Sequence, residues 1–335
     1  MKKETTPISF DPIAEGFFRL GLNFEQSLAF LTAMEMDVFT AIGDDYKTAE
    51  EIAEYLQCSA PATSRLLNAL AAMNLINKNG PKYSNTRNGK EYLVRGGANY
   101  IGDLKAFKFI LSKWLTLRDT IRNNSPSTPV KLSELSNEVI EGLLSLMNWI
   151  ANRQAPEFVR FLDISSVTKA IDFGCGSGSF GLELLKININ IELVLFDYPE
   201  IIPFTEKYLE RKGFSGLAKV LAGDLIEADI GKGYDLAIVS NVLRFFSFKD
   251  NMKILNKIFD ALKRHGRIVL QESLIEPDRI NPFFATFESL RLLLLTPNGD
   301  LRTETEILFL LKEAWFSNIR IHKTSYGSTI FIGEK

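Results

Sequence analysis

Histidine and cysteine are scarce in this chain. Two histidines, His265 and His322, stand among 335 residues, so the commonest general base has few places to be. The two cysteines, Cys58 and Cys175, are far apart and lack metal-ligand spacing. That excludes a disulfide framework and points to a reducing cytoplasm. No apolar run approaches the ~18 residues of a membrane span. The N-terminus, MKKETTPISFDPIAEGFF, starts basic without an apolar stretch behind it, so a signal peptide is not expected. Neither sign of charge dominates: the net charge is −2, which supplies no global field for nucleic acid or an acidic membrane.

What the chain has is 46% apolar residues, sufficient for two domains. Residues 1–100 read as helices with a small β wing. AFLTAMEMDVFTAI (29–42) carries helical apolar spacing. Thr48 and Glu51 form a capping box for the next helix, and Ser59 precedes a third, with Pro61 in its first turn. LINKNGPKYSNT then alternates around an Asn-Gly turn. Helix, helix, helix, hairpin is the winged-helix order. As a DNA reader it is poorly equipped: the third helix offers only Arg65, and the wing adds only Lys78, Lys82, Arg87 and Lys90. Its apolar excess suits subunit burial better.

Residues 101–162 read as a helical linker rich in Phe and Trp. From 163 to 335, strands alternate with helices. TKAIDFG, IELVLFD, AKVLAGD, YDLAIVSN and GRIVLQE predict five strands of a doubly wound parallel sheet, an α/β fold. A last helix, TETEILFLLKEAWFS, and two strands, NIRIHKT and STIFIGEK, close the chain.

AIDFGCGSGSFG (170–181) is the most specific motif. Gly176, Gly178 and Gly181 match the dinucleotide pattern, a weak signal alone. Asp172, two residues before Gly174, would repel a pyrophosphate but can accept hydrogen bonds from the loop or help hold a cationic amino-acid moiety. Asp197 and Asp224 end the next two strands, where ligands sit in such sheets. A carboxylate at Asp197 suits ribose hydroxyls; one at Asp224 suits an adenine amino group. Each could instead be an ordinary helix cap, but three acids around one glycine loop favour S-adenosylmethionine as cofactor.

On these motifs the chain resembles the plant-type (caffeate and acetylserotonin) O-methyltransferases and their bacterial relatives, class I enzymes dependent on S-adenosylmethionine. AMEMDVFTAIGDDYKTAEEIAEYL, RLLNALAAMNLI and KYSNT are similar to the family's dimerisation domain. DFGCGSG, FDYPEII, AGDL and the terminal hairpin are similar to its catalytic domain. The resemblance implies a Rossmann-like, seven-stranded sheet with the last strand antiparallel, and a homodimer built on the N-terminal winged-helix domain. It further implies cofactor contacts at Gly174, Asp197, Asp224, Leu225 and Ser240.

One departure stands out. Where the family keeps a His-Asp pair after a strand, this chain reads VLRFF: Arg244 takes the histidine position and Phe245 the aspartate position. Of two flanking family glutamates, Glu272 is retained and the other is Leu301. Arginine is no base, its pKa exceeding ~12. It can bind a phenolate, enolate or carboxylate, or simply pair with Glu272. Arg291 is either a second substrate cation or the i,i+3 partner of Glu288. Trp149, Phe245 and Phe287, with Phe107, Phe109, Trp114, Met147, Phe246 and Phe284, predict an apolar pocket for a small, aromatic substrate. The reading is methyl transfer to such a molecule, most simply to oxygen, by proximity and orientation. The alternatives are C- or N-methylation, non-methylating chemistry on the same cofactor, and a ligand-sensing winged-helix regulator.

Overall fold

The computed structural model describes residues 11–97, 99–101 and 105–335; the basic segment 1–10 read above lies outside them. The chain divides into two compact units between residues 104 and 105.

In the first unit, helices α1 (Pro12–Leu22), α2 (Phe24–Glu35) and α3 (Val38–Ile42) precede strand β1 (Lys47–Thr48). The run 29–42, expected as one helix, breaks at Asp37, which takes a left-handed φ of 58°. Arg95 holds it there, its Nε donating to Asp37 Oδ1 at 3.0 Å. Helix α4 (Ala49–Tyr55) begins on the expected Thr48–Glu51 capping box. Helix α5 (Ala60–Ala72) has Ser59 at its N-cap position, but the hydroxyl makes no capping bond. Strands β2 (Ile76–Asn79) and β3 (Lys82–Asn85) pair with Asn79 opposite Lys82, so the turn residues are Gly80 and Pro81, one place beyond the expected Asn-Gly. β1 adds to β3, giving a three-stranded wing, and α6 (Arg87–Leu93) follows. Phe39, Ile42, Ile52, Leu67, Leu70 and Tyr83 form its interior. α1 buries no residue, and Phe17 and Phe18 are 71% and 68% exposed.

In the second unit, α7 (Lys105–Trp114), α8 (Leu117–Asn123) and the long α9 (Asn137–Phe158) precede the sheet. Its elements run β4 (Lys169–Phe173), α10 (Ser179–Ile187), β5 (Glu192–Asp197), α11 (Ile202–Lys212), β6 (Ala218–Ala222), β7 (Tyr234–Ser240), α12 (Phe248–Ala261), β8 (Leu262–Glu272), α13 (Phe283–Leu295), α14 (Glu304–Glu313), β9 (Ser317–Lys323) and β10 (Thr329–Glu334). The strand order is β6-β5-β4-β7-β8-β10-β9. The first five are parallel, and β10 runs antiparallel to both neighbours. Period-two alternation divides the strands between two cores. Ile171, Phe173, Val194 and Val239 pack with α12 and α14; Ala170, Leu193, Leu195 and Ile238 pack with α9 and α10. Burial on both faces is why these strands read as unbroken apolar runs. Every strand expected from the sequence forms, and the carboxyl ends of β4, β5, β6 and β7 converge where β4 breaks into the glycine loop. Among the described residues, no helix is long and apolar enough to cross a membrane.

Candidate active site

The glycine loop leaves β4 at Gly174, whose φ is +70°; a Cβ there would lie 2.5 Å from Val242 Cγ2. Gly178 has φ +81° and would set a Cβ 2.9 Å from Leu195 Cδ1. Both positions therefore demand glycine twice over, for backbone sign and for space. Four neighbouring side chains fix the loop. Asp172 Oδ2 accepts the Gly181 N–H at 2.8 Å. Asp197 Oδ2 accepts the Gly176 N–H at 2.7 Å, and its Oδ1 accepts the Tyr198 N–H at 2.7 Å. Thr205 of α11 donates to the Gly176 carbonyl at 2.6 Å. Ser177 and Ser179 both donate to Asn148 Oδ1 of α9, at 3.0 and 2.9 Å.

The two buried acids are pushed toward neutrality. Burial raises Asp172 to about 7, its bond from Gly181 pulling against this and the charge of Asp197 adding to it. Burial likewise raises Asp197 to about 6, against two backbone N–H donors. Further cationic or hydroxyl donors would stabilise their charged forms. Asp224 differs: it is exposed, and its Oδ1 caps a turn by accepting Ile226 and Glu227 N–H at 2.8 and 2.9 Å. Leu225 beside it is buried. Ser240 Oγ, at the end of β7, accepts from Gln271 Nε2 at 3.2 Å. Gln271, fully buried, also binds Gln154 and the Tyr326 hydroxyl.

After β7 the chain turns at Asn241, a non-glycine residue with φ 59°, into a short 3-10 turn, Leu243–Phe245. This turns Arg244 inward, where its side chain is only 8% exposed. Its Nε and Nη2 both reach Glu272 Oε2, at 2.8 and 2.7 Å. Nη1 donates to Glu288 and Nη2 also to Asn241 Oδ1. Glu272 Oε1 accepts the Leu243 N–H at 2.9 Å. Burial opposes the Arg244 charge, but Glu272 and Glu288 outweigh it and hold its pKa above the usual value. The guanidinium is thus bound by two carboxylates rather than presented as an open anion site.

The Glu288–Arg291 pair, one of the two readings of Arg291, does not form. Glu288 turns to Arg244, and Arg291 lies over the Phe284 ring, 5.8 Å from its centroid. Phe284 and Phe287 are 67% and 47% exposed, so this aromatic face of α13 is not core. Phe245 is also exposed. Trp149 is half-buried; its ring carries Arg153 at 3.8 Å, and its Nε1 is buried with no hydrogen-bond partner among the described residues. The histidines lie elsewhere: His265 is the fourth residue of β8, toward the opposite end of the sheet, and His322 stacks on Phe161. Asn148, Thr205 and Gln271 escaped the sequence reading, and Glu288 entered it only as a partner for Arg291. Of the first three, only Asn148 left a trace, as one of two asparagines at i,i+4 on α9.

Comparison with known proteins agrees with this architecture. The O-methyltransferase domain matches residues 131–317, and the O-methyltransferase dimerisation domain matches residues 18–95. The S-adenosyl-L-methionine-dependent methyl transferase PigF of a Serratia species is 25% identical, the match covering 94% of each chain. The 3-hydroxy-5-methyl-1-naphthoate 3-O-methyltransferase of Streptomyces sahachiroi is 26% identical, covering 94% of this chain and 92% of that protein. Among solved structures, PigF with SAH superposes with a TM-score of 0.89 at 25% identity, covering 96% of this chain and 99% of the other.

Proposed function

The chain belongs to the O-methyltransferase family, and we propose that it uses S-adenosylmethionine to methylate a hydroxyl of a small aromatic molecule. The observation that carries the cofactor is the loop itself. Gly174 and Gly178 hold a left-handed turn that Val242 and Leu195 pack against where a Cβ would stand, and the acids at three strand ends suit hydroxyls and amines, not pyrophosphate. Gly174, Gly176 and Gly178 would form the cradle, organised by Asp172. Asp197 would hold the ribose hydroxyls, Asp224 and Leu225 the base, and Ser240 would stand at the inner wall. When bound, S-adenosylmethionine supplies an electrophilic methyl group on a sulfonium.

The protein's own contribution is placement. Aligning two reactants supplies roughly 7–11 kcal/mol, against about 3–5 kcal/mol for a general base. Arg244 and Glu272 act here as a fixed pair: the arginine pins Glu272 at the end of β8 and Glu288 on α13, and so sets the floor beside the donor. Trp149, Phe245 and Phe287 would face the substrate's ring. Arg291, which makes no ion pair among the described residues, would contact an acidic substituent. The hydroxynaphthoate relative is named for a substrate of this kind.

Residues 1–100 would make a homodimer, 101–162 the pocket, and 163–335 the cofactor site. The bare apolar faces of α1 support the first assignment. Two free cysteines, Cys58 and Cys175, fit the cytoplasm. Incubation with S-adenosylmethionine and a panel of hydroxynaphthoates and hydroxylated polyketides, followed by mass spectrometry, tests the activity. A methyl ether and S-adenosylhomocysteine should appear together; formation of neither across the panel counts against it. Sedimentation should show a dimer at micromolar concentration, and a concentration-independent monomer would refute the assembly.

A further inference from the structure

We propose that Lys257 is a positioning residue for the cofactor's purine: from α12 it locks the loop after β6 so that Asp224 meets the base's amino group. The proposal rests on the reading of the site as an S-adenosylmethionine site. Residues 223–228 form one tight turn. Gly223 N–H donates to the Asp197 carbonyl at 3.0 Å, pinning the loop's start to the end of β5. A Cβ at Gly223 would lie 2.6 Å from Ala228 Cβ, so the turn closes on itself. Ala228 N–H donates to the Asp224 carbonyl at 3.0 Å, and Asp224 Oδ1 takes the Ile226 and Glu227 N–H groups.

These bonds leave two backbone carbonyls, Leu225 and Ala228, converging on one point. Lys257 Nζ occupies it, donating at 3.2 and 2.8 Å. They also leave Asp224 Oδ2 without a donor among the described residues, on a carboxylate whose orientation the turn has fixed. An unused acceptor, held rigidly beside the buried Leu225, is what recognition of an exocyclic amino group needs. From α12 Lys253 also reaches a side chain of the turn, its Nζ 3.6 Å from Glu227 Oε1, but that contact is exposed; the Lys257 ammonium is the α12 group that takes the turn's backbone carbonyls. Asp224, Glu227 and Asp229 surround it and favour its charge, while burial works against it and prevails. Lys257 is a cross-strap: without it the turn keeps its internal bonds and the exposed Lys253–Glu227 contact, but loses its backbone anchor to α12.

The test is calorimetric titration of the full-length protein with two probes, S-adenosylhomocysteine and S-inosylhomocysteine, in which an oxo group replaces the purine amine. Wild type should bind the adenosyl compound tightly and the inosyl compound weakly. Lys257→Met should weaken the adenosyl compound by on the order of 10-fold, as two charge-assisted bonds are lost, and weaken the inosyl compound little. The preference between the probes therefore shrinks. Lys257→Arg, which keeps charge and donors, should restore most of it. Unchanged affinities in Lys257→Met overturn the proposal. So does an equal loss for both probes with a lowered melting temperature, which marks a purely structural strap. Failure of wild type to bind either probe overturns the cofactor reading itself, and the proposal with it.

Discussion

Glu288 hydrogen-bonds the Arg244 guanidinium from 44 residues further along the chain, although Arg291 stands only three residues from it on the same helix. Arg244 is consequently shared by two carboxylates, Glu272 and Glu288, in a buried cluster. Removing the arginine strands two acids without their counter-charge, at a cost of about 3–5 kcal/mol. Arg244→Ala should show this as a lowered urea midpoint. Glu288→Gln should cost less, since the amide oxygen still accepts. A double-mutant cycle between the two should give a coupling well above that of a surface pair. If Arg244→Ala unfolds like wild type and only raises KM for anionic substrates, the arginine is a substrate contact instead.

With Asp197 at the ribose, as proposed, cofactor affinity should depend on pH. Burial raises its carboxyl to about 6, while ribose hydroxyls are bound better by the ionised form. Binding therefore releases a proton below that value. Affinity for S-adenosylhomocysteine should rise as pH increases through about 6 and flatten above it. Asp197→Asn should bind weakly at every pH and lose the inflection. Calorimetry at several pH values decides it, and a pH-independent wild type would contradict the placement of Asp197 at the ribose.

Much of this was legible in the sequence, for a physical reason. Strands buried on both faces are apolar at most positions, so β4, β5 and β7 announced themselves, and the left-handed glycines of the loop did the same. Contacts between distant segments were not legible. Helical spacing directs Glu288 to Arg291, and only the fold brings Arg244 within reach. The break at Asp37 is likewise enforced by Arg95, 58 residues away. Ser59 has the right residue type for a cap, yet Pro61 already removes one of the donors it would satisfy.

Trp315 stores strain at the end of α14. It holds a left-handed φ of 69° where the Phe316 N–H closes on the Leu311 carbonyl at 3.0 Å. Gly213 fills the same position after α11. The indole is 77% exposed and gives little burial in return. Trp315→Gly should raise stability by about 1 kcal/mol, read as a higher melting temperature. A fall would show that the ring packs against a second molecule.

Methyl transfer in this protein should run without an imidazole base, and the pH dependence of kcat/KM for two accepted phenols of different acidity measures that. With Arg244 fixed between Glu272 and Glu288, the inflection should follow each phenol's own ionisation and move between the two substrates. A shared rising limb near the ordinary histidine pKa, at the same pH for both phenols, would instead reveal an imidazole base at work.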